Sequence, residues 1–133
     1  MGTTKQIVGR VGAHQIILMD SISYIAAEDE DQIIISGSHG GLAAANYALE
    51  HPPLLVAFND AGVGKDEAGI MALQLLDEAG IAAVAVYHTT ARIGEAQDTW
   101  ENGVIGHVNV LAWGMNIILN RPLQQNIKHH LRL

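Results

Sequence analysis

Three short runs of this sequence carry most of the groups that could do chemistry: Ser36-Gly37-Ser38-His39-Gly40-Gly41, Asn59-Asp60-Ala61-Gly62-Val63-Gly64-Lys65 and His88-Thr89-Thr90-Ala91-Arg92. Imidazoles beside a carboxylate are the usual equipment for proton transfer, and hydroxyls beside Lys and Arg are the usual grip on an anion. His39 and His88 fit the roles of base and acid, and Asp60 fits the group that sets their tautomer or charge. Ser38, Lys65 and Arg92 would then anchor a small carboxylate or phosphate. The glycines at 37, 40, 41, 62 and 64 leave backbone N–H groups open next to predicted helix starts, where the helix dipole favours negative charge. Ser36, Asn59, Thr89 and Thr90 complete this candidate ligand-binding set.

Other chemistries can be drawn from the same residues. Ser36-Gly37-Ser38-His39-Gly40 has the small-x-Ser-x-small outline of a nucleophile elbow, and Ser38, Asp60 and His88 follow in the order serine, acid, histidine. The first position is Ser rather than Gly, and the chain is short of the strands and caps such hydrolases carry. His39, Asp60 and His88 could offer a divalent metal two imidazoles and a carboxylate, although no tight ligand spacing supports it, and no metal is expected. Gly62-Val63-Gly64-Lys65 is not a phosphate-binding Walker loop, because Asp66 stands where a hydroxyl residue is needed. The Gly37 to Gly41 run also lacks the G-x-G-x-x-G spacing of dinucleotide sites, flavin mononucleotide has only fold analogy behind it, and no cofactor is expected. The plain alternative is that the glycines serve tight turns and the two bases are solvated.

These runs need elements to hold them. From residue 32 the chain repeats an apolar run, a glycine-rich corner and an amphipathic stretch, the rhythm of βα units. Strands are expected over 32–36, 54–58 and 82–87, each apolar on both faces as central parallel strands are. Helices are expected over 42–50, stopped by Pro52 and Pro53, and over 66–79, ended by Gly80. A further strand is expected over 14–19, a short helix over 21–27 and a solvated acidic turn over 28–31. Val104, Val108, Leu111, Met115 and Ile118 recur at helical spacing and predict a helix over 104–118, with His107 and Asn109 on it. His107 sits next to that apolar stripe and is read as a core or interface histidine ahead of a catalytic one. The stretch 91–102, with Trp100, is read either as a binding loop or as padding at a subunit interface.

The sum is an α/β chain: a three-layer sandwich with a mainly parallel sheet of about four strands, flavodoxin-like or Rossmann-like. In such sheets the three runs would share the crevice beyond the strand carboxyl ends. A length of 133 residues suits one α/β domain over 1–133, with 121–133 as a basic tail. Net charge is −7, which gives nucleic acid no basic footprint. Charged residues make up 16% of the chain, below the roughly 25% typical of soluble domains, and this predicts a homo-oligomer. There is no cysteine, no signal-like apolar run between Met1 and Gly12 and no stretch near the ~18 apolar residues of a membrane span. The expected address is therefore the cytoplasm, with no membrane partner. The sequence points to an enzyme, a hydrolase, lyase or isomerase, that acts on a small anionic metabolite by His/Asp acid–base chemistry. The alternative is a ligand-sensing or structural subunit without catalysis.

Overall fold

The computed structural model describes residues 5–133, so the first part of the expectation for Met1 to Gly12 lies outside the described residues. In chain order the elements are strands β1 (Gln6–Val11) and β2 (His14–Met19), two 3-10 turns (Ile22–Tyr24 and Ala27–Asp29), strand β3 (Ile33–His39), helix α1 (Leu42–Glu50) and strand β4 (Leu55–Asn59). A 3-10 turn (Lys65–Glu67), helix α2 (Met71–Glu78), strand β5 (Ala82–Val86), helix α3 (Ala96–Asn102), strand β6 (Ile105–Val108) and helix α4 (Val110–Gly114) follow. A last short helix, α5 (Leu123–Gln125), runs into a π-turn (Asn126–His130) that buries Ile127 in the tail.

The sheet overturns the expected flavodoxin-like or Rossmann-like sandwich with a mainly parallel sheet. Among the described residues six strands pair in the sequential order β1-β2-β3-β4-β5-β6, so the order of these strands never reverses as it does at the switch point of those folds. Pairing is parallel from β2 to β5 but antiparallel at β1–β2 and again at β5–β6, which makes this a mixed α/β sheet. Each antiparallel edge has a local cause. Gly12, at φ +59°, and Ala13 form the two-residue turn of a β1–β2 hairpin. At the other edge the expected helix over 104–118 is split. Ile105–Val108 joins the sheet instead, and Asn109 caps α4 by accepting the Ala112 N–H. Gly106 allows this strand to lie against the ring of Tyr87, because a Cβ there would fall 2.6 Å from a ring carbon.

The central strands are apolar on both sides because both sides are covered. Ile33, Ile35, Leu55, Ala57, Val84 and Val86 belong to one buried cluster with Trp100 of α3, Leu123 and Ile127. Their neighbours Ile34, Val56, Phe58, Ala83 and Ala85 belong to the other, with Ala45 and Ala48 of α1 and Leu73 and Leu76 of α2. The period-two alternation of strand side chains divides the two sets. Each fully buried Ile, Leu or Phe contributes about 1.5–3 kcal/mol relative to exposure, so the sheet centre is the stable floor on which the loops rest. The acidic turn is also less solvated than expected: Asp29 is buried, and its carboxylate meets Lys5 at 2.7 Å. Among the described residues no helix is long and apolar enough to cross a membrane.

Candidate functional site

The three runs sit at the carboxyl ends of β3, β4 and β5, which are adjacent parallel strands. His39 pairs with Asn59 in the ladder and the Gly40 N–H donates to the Asn59 carbonyl. The Asp60 N–H donates in turn to the Val86 carbonyl, which brings the second and third runs together.

Several candidates hold the corners in place through contacts of their own. Ser36 is fully buried and its hydroxyl donates to the Ala57 carbonyl at 2.7 Å. Gly37 is wedged against the 94–95 backbone, where a Cβ would lie 2.5 Å from the Glu95 nitrogen, and its carbonyl accepts the Gly94 N–H. Ser38 Oγ accepts the Ile22 N–H at 2.9 Å. The buried amide of Asn59 donates to the Ala91 carbonyl and accepts the Ala61 N–H, so it pins the loop after β5 to the loop after β4. Thr90 Oγ1 donates to the Tyr87 carbonyl and accepts the Val104 N–H. Gly40 abuts the Gly69 carbonyl, Gly41 opens α1 beneath the ring of His39, and Gly62 and Gly64 take left-handed φ of +76° and +74°.

The remaining candidates face solvent. His39, Thr89, Lys65 and Arg92 are exposed, and neither of the two bases forms an ion pair among the described residues. Arg92 contributes its backbone N–H to Asp98 Oδ2 at 2.7 Å.

Asp60 is the centre of the arrangement. It is 3% exposed, and its Oδ1 accepts the N–H groups of Gly62 (2.8 Å) and His88 (2.9 Å). The same oxygen lies 3.3 Å from His88 Nδ1, and Oδ2 lies 3.0 Å from His107 Nε2. Burial alone would raise the Asp60 carboxyl, but the Gly62 and His88 N–H groups and the His107 ring outweigh it and hold it below the usual carboxylate range. An ionised carboxylate only accepts, so both rings donate to it, and in the neutral form of each ring the lone pair falls on His88 Nε2 and His107 Nδ1. The His88 side chain is 54% exposed and the His107 side chain 25% exposed.

His107 is the functional candidate that the helical reading of 104–118 set aside. As a strand residue it pairs with Ala85, and this register aims its ring across β5 towards Asp60. The signal available in the sequence was the glycine at 106, which weakens a helix and suits an edge strand that packs closely. His107 also lines a cleft of about 550 Å3 between α2 and β6, which neither His39 nor His88 lines.

Asn109, expected on the same helix, is instead a buried cap. Its amide donates to the Leu73 and Ile81 carbonyls and accepts the Ala83 and Ala112 N–H groups. The stretch 91–102 is not an irregular loop throughout, since its second half forms α3 and buries Trp100.

A carboxylate that fixes two imidazoles, one at each side of it, can present a basic nitrogen to a reacting proton and stabilise the imidazolium that results. Among the described residues no group of three His, Cys, Asp or Glu is placed to hold a metal ion, and His39, Asp60 and His88 form no such group. No family model matches the chain, and comparison with curated proteins and with solved structures returns no match.

Proposed function

We propose that this chain is an enzyme, a hydrolase, lyase or isomerase, that moves a proton on a small carboxylate or phosphate metabolite. His88 is the acid–base group, and Asp60 is the positioning residue that fixes its ring. The observation that carries this reading is the buried, ionised Asp60 with an imidazole on each oxygen. Support for an anionic substrate comes from Lys65 and Arg92, which stand exposed on the loops that follow Asp60 and His88. Ser38, His39 and Thr89 lie on the same end of the sheet and complete the contact set. The cysteine-free composition agrees with a cytoplasmic address.

The test is a panel of small carboxylates and phosphate esters, screened for a rise in melting temperature and then followed by NMR for conversion. Compounds that bind should be converted, and His88→Ala should keep the melting temperature while it lowers turnover about 100-fold or more, the usual worth of a positioned acid–base group. Equal turnover by His88→Ala would end this reading. Binding without conversion would favour the second reading, a sensing or structural subunit of a homo-oligomer. That reading draws on α4, where Val110 is 73% and Trp113 63% exposed, an unusual placement for large apolar side chains of a monomer.

A further inference from the structure

The cleft between α2 and β6 differs in charge from the corner that carries Lys65 and Arg92. Ile70 and Leu73 from the α2 side and Val108 from β6 give it apolar lining, and His107 lines it as well. Asp66, Glu67 and Asp77 also line it, and no Lys or Arg is among its lining residues. The volume, about 550 Å3, falls within the 300–1,000 Å3 usual for small-molecule sites. Lys65 neighbours Asp66 in sequence but lies outside the lining.

We propose that this cleft binds a small organic cation, an amine carried on an apolar body. The apolar lining takes the body, and the three carboxylates, in a chain of net charge −7, take the ammonium group. The anionic metabolite assigned to the His88 corner is repelled here, so the two sites take ligands of opposite charge. The inference goes beyond the acid–base reading and does not need it, because binding is measured directly and can stand where turnover fails.

The experiment titrates the full chain, isotope-labelled, with benzylamine, benzyl alcohol and benzoate at pH 7 and fixed ionic strength, and follows backbone amide resonances. Saturable shifts are expected at Ile70, Gln74 and Val108, with benzylamine bound about tenfold more tightly than the alcohol and benzoate weakest. The double variant Asp66→Asn with Glu67→Gln should cut the preference for benzylamine over the alcohol from about tenfold to about two- or threefold and leave the alcohol unchanged. Asp66 has a left-handed φ of +57°, which Asn tolerates, so the variant keeps the turn. Asp77 is left in place because its carboxylate also accepts the Leu111 N–H. Benzoate binding as tightly as benzylamine, absence of saturable shifts, or a double variant that binds like the parent would each overturn the proposal. Shifts of the same residues with protein concentration alone would assign the cleft to a second copy of the chain and would overturn it too.

Discussion

Asp60 Oδ2 lies 3.0 Å from His107 Nε2, so one buried carboxylate at the end of β4 is tied to the edge strand β6 on the far side of β5. Through its other oxygen the same group holds the backbone of the Gly62 turn and of His88. Removing it therefore removes structure. Asp60→Ala is expected to lower stability by about 2–4 kcal/mol, because it strips the acceptor from two backbone N–H donors and two ring donors. Asp60→Asn keeps one acceptor oxygen and should cost less. Urea denaturation of the two variants checks this, and an Ala variant as stable as the parent would refute it.

The acid limb of the stability curve should carry the mark of the same residue. Its folded pKa lies below its unfolded value, so the stabilisation is complete above the unfolded value of about 4 and is lost as pH falls through the folded one. Urea midpoints for the parent and Asp60→Asn should converge as pH drops below about 4. Parallel curves over that range would show that Asp60 does not contribute in this way.

Under the proposed acid–base reading Asp60, as a positioning residue, should also shape turnover. Asp60→Asn leaves an amide opposite His88 Nδ1 and removes the charge that stabilises an imidazolium, so kcat should fall about tenfold or more while KM stays near the parent's. A purely structural role would leave kcat per folded molecule unchanged.

Glycine at 37 is required by space, whereas glycine at 64 is required only by its dihedral. A Cβ at 37 would meet three backbone atoms, the Glu95 nitrogen, the Gly94 carbonyl carbon and the Asp20 oxygen, at 2.5–2.7 Å. One at 64 would meet nothing within 4 Å, but φ there is +74°. Gly37→Ala is expected to cost about 3 kcal/mol, as overpacking against rigid groups does, and Gly64→Ala about 1 kcal/mol. Melting curves that reversed this order would contradict the packing described.

Exposed Trp113, on α4 but outside the lining of the cleft, is expected to lie in a contact between copies. In sedimentation the parent should run as a dimer or larger, and Trp113→Ser as a monomer with an unchanged melting transition measured at low concentration. A parent that is monomeric at tens of micromolar would remove the oligomer reading.

What the amino-acid order determined by itself was local. His14–Met19 and Leu42–Glu50 fall where β-branched runs and an apolar helical face stopped by proline place them, and Gly80, at φ +82°, ends α2 as a glycine after a helix does. The three polar corners were legible too, because turn residues after covered strands are a signal that needs no partner. Tertiary structure decided the edges. β1 mixes Gly9 and Arg10 into its run, and residues 104–118 match a helical period, so neither edge could be assigned before a neighbouring strand claimed its backbone hydrogen bonds. The same is true of the pairing at the heart of the candidate site: Asp60 and His107 are 47 residues apart, and only the antiparallel register of β6 on β5 brings the ring to the carboxylate. Periodicity reports which face a side chain takes within its own element, whereas contacts between elements depend on a register that strands fix together.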